Sequence, residues 1–244
     1  MSAIPEIEHH TLIERHPLSP FLPEGARLLM LGSFPPPRER WCMEFFYPNP
    51  QNDMWRIMGQ VFFGDKTHFE LQRDNTHFEV QSAKTSLELP RDGIQRDRQP
   101  SPKHRKTLFD CEAIVAFCRE QGIAIFDTAQ AVRRLQDNAA DEHLEIVERT
   151  DIAALLQQIP ECHDICCTGG KAASTLADIL HTATPKAGGY IDTLFNGTPV
   201  RFWRMPSTSR AYPLPFDQKV VAYQHMFDML PPLHRWGYKG YTCV

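Results

Sequence analysis

Apolar residues gather in four short runs along the chain, at 27–31, 123–126, 164–168 and 200–205. Runs this short, bounded by Gly, Asp or Pro, read as buried strands rather than helices. Between them the spacing changes to a helical period. Residues 53–63 form an amphipathic helix with Asp53 placed to cap it and Gly64 to end it. Residues 110–120 carry Ile114, Val115, Phe117 and Cys118 on one face, with Gly122 as the stop. Further helices are predicted over 128–135, over 151–158 (capped from Thr150 or Asp151), over 171–180 and over 216–230. Strands alternating with helices predict an α/β fold: a three-layer α/β/α sandwich around a central, mainly parallel four-stranded sheet. Residues 1–25, polar and rich in proline, read as an N-terminal arm with one short helix at 7–15, and 26–244 as a single domain.

The densest chemistry lies between 27 and 59. The first run stops at Gly32-Ser33, where small residues let backbone N–H groups face a ligand. Pro35, Pro36 and Pro37 then fix an extended loop. Trp41, Phe45, Phe46 and Tyr47 follow, and after them Pro48-Asn49-Pro50-Gln51-Asn52. Aromatics beside polar amides make a flat apolar slot with a polar end, a shape suited to planar heterocycles. The same aromatics serve equally well as core, which is the commoner fate of such residues.

Composition narrows the classes. No apolar run approaches the length of about 18 residues that a membrane span needs, and no secretion signal is found. Seven cysteines, an odd number without framework spacing, suit a reducing, cytoplasmic setting and a chain expected to be monomeric. Cys162, His163, Cys166 and Cys167 lack a paired-ligand spacing and read as buried thiols, so no metal or cofactor is expected. Gly169-Gly170-Lys171 lacks the spacing of a phosphate-binding loop. The net charge of −4 opposes whole-molecule steering toward DNA, so any grip on phosphate must come from a local patch. Residues 65–106 form a polar insertion with Arg91, Arg96, Arg98, Lys103, Arg105 and Lys106 in its second half. That segment is either a solvated insertion or a phosphate-binding flap, and Arg133 and Arg134 are further candidates for phosphate contact.

Gly-Ser-Phe-Pro followed by Phe45-Phe46-Tyr47-Pro48-Asn49-Pro50-Gln51-Asn52 resembles the first motif of the uracil-DNA glycosylase superfamily, and Met205-Pro206-Ser207-Thr208-Ser209 resembles its second. Residues 122–127, Gly-Ile-Ala-Ile-Phe-Asp, are similar to a strand of the hypoxanthine-DNA glycosylase group; the mismatch-specific uracil glycosylases resemble the chain more distantly. The resemblance implies a monofunctional glycosylase whose partner is DNA carrying a damaged base. It places Tyr47 as the ring stacking on a flipped base and Asn52 as the catalytic amide. It places Gly32, Ser33, Phe34 and Asn49 around the base, and Pro206, Ser207, Thr208, Ser209 and Arg210 against the DNA strand. Two positions depart from the superfamily pattern: Phe34 stands where many members carry Asp or Asn, and Met205 where many carry His or Asn.

Three functions therefore stay open from sequence: a glycosylase for hypoxanthine or uracil, a non-catalytic nucleic-acid binding module, and a small-molecule nucleoside or nucleotide hydrolase.

Overall fold

A computed structural model describes residues 12–71, 108–135 and 143–230. Its main sheet begins with β2 (Leu28–Gly32), after a short β1 (Ile13–Arg15). Then come α1 (Met54–Phe63), α2 (Cys111–Glu120), β3 (Ile123–Asp127), β4 (Ala129–Arg134) and β5 (Leu144–Arg149). The chain continues through α3 (Ile152–Gln158), β6 (Asp164–Thr168), α4 (Gly170–Ile179), β7 (Gly189–Phe195), β8 (Thr198–Met205) and α5 (Phe216–Met229). The main sheet has the order β3-β2-β6-β8-β7, parallel except for β7. Strands β2, β3 and β6 are buried at every residue, because helices cover both faces in an α/β/α arrangement.

Five strands stand where four were expected. The fifth, β7, alternates half-buried and exposed residues and so presents no apolar run. A tight turn joins it to β8, with Asn196 at φ 50° and Gly197 at φ 79°. Asn-Gly between two strands is the strongest short hairpin signal, and here it marks the β7–β8 turn.

A second correction concerns residues 128–135, which form strand β4 rather than a helix. β4 pairs antiparallel with β1 and β5 in a separate three-stranded sheet. Its Ala129 and Val132 join Leu144 in a small core that Phe34 and Ile146 complete. Ala-rich sequence favours helix only weakly, and pairing on both edges outweighs it. Residues 13–15, placed in the arm's expected helix, are strand β1, drawn out by antiparallel pairing along β4; residues 7–11 of that helix lie outside the described residues.

Helix ends follow local chemistry. Asp110 accepts the N–H of Ala113, and Asp151 accepts that of Ala154, so each caps its helix. Gly64 ends α1 in the left-handed region at φ 69°. Asp53 precedes α1 without capping it by its side chain. Asn52 Oδ1 instead accepts the Met54 N–H at 2.9 Å, which frees the Asp53 carboxylate for other partners. No helix among the described residues is long and apolar enough to cross a membrane.

Candidate functional site

A cleft of about 770 Å³ opens at the carboxyl ends of β2, β3, β6 and β8, where ligands bind in open α/β sheets. Gly32, Ser33, Phe34, Tyr47, Asn49 and Asn52 line one side of it, and Ser207, Thr208, Ser209 and Arg210 the other. Of the residues that the resemblance places at the site, all are thus brought together except Pro206. That proline is buried, and its carbonyl accepts the Tyr223 hydroxyl at 3.1 Å.

The two walls are tied by backbone. Asn52 and Ser209 form an antiparallel bridge, and the Asp53 N–H donates to Thr208 O at 2.8 Å. Behind the bridge sits a buried charge network. Lys219, 1% exposed, donates to Ser209 O at 2.8 Å and lies 3.5 Å from Asp53 Oδ2. Arg210 Nε donates to Asp53 Oδ1 at 2.8 Å. Arg56 donates to the carbonyls of Pro50 and Asn52 and pairs with Glu70 at 2.6 Å. The buried cations Lys219 and Arg56 each face a carboxylate and also bond to backbone carbonyls, which holds the two loops in one geometry.

Tyr47 occupies the left-handed region at φ 52°, a costly conformation for a bulky residue. Its hydroxyl pairs with Thr168 Oγ1 at 2.9 Å, and its ring meets Trp55 edge to face at 6.2 Å. Burial, reinforced by the Asp127 charge, pushes the Tyr47 phenol well above its ordinary value. Phe34 turns away from acid–base work: its ring stands edge-on to His16 at 5.3 Å and joins the core of the small sheet. Met205 is fully buried.

Arg133 and Arg134 do not line the cleft. Arg134 is buried, with Nε on Glu14 and Nη2 on the Pro35 carbonyl, and Arg133 pairs with Glu145. Burial in and beside β6 pushes the thiols of Cys162, Cys166 and Cys167 up, that of Cys162 to about 12. Among the described residues, no three His, Cys, Asp or Glu side chains gather where a metal ion could sit. The basic segment 91–106 lies outside the described residues.

Sequence reasoning missed Asp127 and His16. Asp127 ends β3 directly opposite Gly32 of β2, is 6% exposed and lines the cleft. His16 Nε2 lies 2.8 Å from Asp127 Oδ2, and its own side chain is wholly buried. His16 Nδ1 lies 2.9 Å from the Leu18 carbonyl oxygen and 3.2 Å from the Leu18 N–H, so Leu18 fixes that side of the ring while Nε2 faces Asp127. A side chain at position 32 would collide with this arrangement: a β-carbon would fall 2.3 Å from Asp127 Oδ1 and 3.6 Å from the Tyr47 hydroxyl. Asp127 was legible as the polar end of an apolar run, beside a strand that ends in glycine. His16, within a proline-rich arm, carried no signal. Arg40 and Lys171 also line the cleft and add positive charge to that of Arg210.

No family model matches the sequence, and no curated protein matches it. Among solved structures, the chain is similar to the solution NMR structure of a "putative Uracil DNA glycosylase" from Methanosarcina acetivorans. The TM-score is 0.52 at 19% identity, over 88% of this chain and 97% of that one. The likeness is one of fold, an α/β domain around a mostly parallel sheet.

Proposed function

We propose that this protein is a DNA glycosylase of the uracil-DNA glycosylase superfamily, related to its hypoxanthine-specific group. Its reaction is hydrolysis of the N-glycosidic bond of a deaminated base, hypoxanthine or uracil, flipped out of DNA. The observation that carries the reading is the bridge between Asn52 and Ser209, which joins the two motif-like stretches across one cleft at the strand ends. The fold shared with a protein described as a "putative Uracil DNA glycosylase" supports it.

Reaching the anomeric carbon requires the base out of the stack, where it can lie against an aromatic ring. Tyr47 supplies that ring at the cleft. Asn52 Oδ1 is held by the Met54 N–H, which leaves the amide N–H₂ end to meet a base carbonyl or a water oxygen. An amide orients such a group but takes no proton from it. Arg40, Lys171 and Arg210 offer charge to the phosphates flanking the flipped nucleotide.

The reading is tested with duplex and single-stranded oligonucleotides carrying one hypoxanthine, uracil or xanthine. The expected product is an abasic strand that stays intact until alkali is added. Lesion binding without abasic product would make the protein a binding module, and hydrolysis confined to free nucleosides would make it a small-molecule hydrolase.

A further inference from the structure

We propose that Asp127 is the catalytic base, taking a proton from the attacking water through Oδ1 while His16 holds Oδ2. The assignment rests on the glycosylase reading and adds to it the group that activates water.

Among the described residues lining the cleft, Asp127 is the one carboxylate. The other polar groups there are poor proton acceptors. Asn49 and Asn52 carry neutral amides, Tyr47 is a phenol held in its neutral form by burial, and Arg40, Lys171 and Arg210 are cations. Phe34, packed against the small core, has no group that takes a proton, and Met205 is buried, so neither acts on water.

Burying a carboxylate is costly unless it is paired. Here Oδ2 has the His16 imidazole at 2.8 Å, while Oδ1 points at the space beside the Gly32 α-carbon. A purely structural pair needs no carboxylate facing the cleft, and Asp127 lines it. His16 is clamped: its ring lies 4.4 Å from Phe126 and 5.3 Å from Phe34, and Nδ1 is held at Leu18. Wholly buried, it cannot reach a substrate and is a positioning residue for Asp127.

In the step, a water on Oδ1 gives its proton to the carboxylate as its oxygen bonds to the sugar C1′. The C1′–N bond breaks, and its electron pair leaves on the base nitrogen. The proton then passes from Asp127 to the departed base through solvent, which restores the carboxylate. Water is the only co-reactant.

The test compares wild type, Asp127→Asn, Asp127→Ala, His16→Gln and His16→Leu with enzyme in excess over lesion duplex. Base release and lesion affinity are measured separately. Asp127→Asn should slow release by about 10²-fold or more with affinity unchanged, the usual worth of a positioned general base. Added formate, a carboxylate small enough for the vacated space, should restore rate to Asp127→Ala and leave wild type unaffected. His16→Gln keeps an N–H donor toward Oδ2 and should retain most of the rate that His16→Leu loses. Release by Asp127→Asn at the wild-type rate would overturn the assignment and leave the glycosylase reading standing. Equal losses of rate and affinity would also overturn it, making Asp127 a reader of the base edge. Absence of base release by wild type would remove both readings together.

Discussion

Asn52 and Ser209, from opposite ends of the domain sequence, pair as an antiparallel bridge across the mouth of the cleft. That contact makes Asn52 part of two structures at once, the backbone tie between the walls and the side-chain turn onto Met54. Asn52→Ala keeps the first and loses the second. The variant should release base about 10²-fold more slowly at saturating DNA, the worth of one positioned polar group. Loss of the N-terminal turn should cost about 1 kcal/mol of stability. Single-turnover kinetics and urea denaturation check the two effects independently, and an unchanged rate would remove Asn52 from the chemistry.

Tyr47 separates stacking from hydrogen bonding. Tyr47→Ala removes the ring and should weaken lesion binding by about 1–3 kcal/mol. Tyr47→Phe keeps the ring and loses the bond to Thr168, so stability should fall by about 1 kcal/mol while affinity holds. Fluorescence anisotropy on lesion duplexes decides the matter: weaker binding by the Phe variant than by the Ala variant would contradict a stacking role.

The network behind the bridge predicts an asymmetry. Asp53 faces Lys219, Arg210 and Arg56, so Asp53→Ala leaves buried Lys219 without an ion-pair partner among the described residues. Removing one partner of a buried ion pair costs about 3–5 kcal/mol. Lys219→Met should cost less, because Asp53 keeps Arg210 and the replacement fills the space with apolar atoms. Urea midpoints of the two variants measure the difference, and equal small losses would show the network to be dispensable.

Asp164 gives a pH dependence of known sign. Burial raises its carboxyl above the ordinary 3.8, and the Trp203 N–H and the Arg201 charge pull only partly back. The native state therefore binds this proton more tightly than the unfolded chain does. Its contribution to stability is present below pH 3.8 and is lost as pH rises through the raised value. Asp164→Asn, whose amide oxygen still accepts from Trp203, should equal or exceed wild-type stability at pH 7 and flatten this contribution. Denaturation at pH 7 and pH 4 tests it; a strongly destabilised Asn variant at pH 7 would contradict the sign.

What the sequence showed and what it hid divide along physical lines. The four parallel strands were legible because burial on both faces writes an unbroken apolar run, as in Leu28 to Leu31. The hairpin strand β7 and the small-sheet strand β4 were not, since a half-exposed edge and an Ala-rich pair leave weak patterns. Within the cleft, the residues grouped in two stretches were found together. Asp127 escaped because its role depends on register with Gly32, and His16 because it reaches the site from an arm that pairs with β4 and touches β3.

The central claim is that this cleft hydrolyses a glycosidic bond in DNA. It is tested most directly by one turnover of a labelled duplex carrying a single hypoxanthine or uracil, with free base and abasic strand quantified in the same sample. The account predicts equal amounts of both from wild type, with the strand unbroken before alkali, and little of either from Asp127→Asn. Duplex that is bound yet recovered intact, or strand cleavage without alkali, would contradict it.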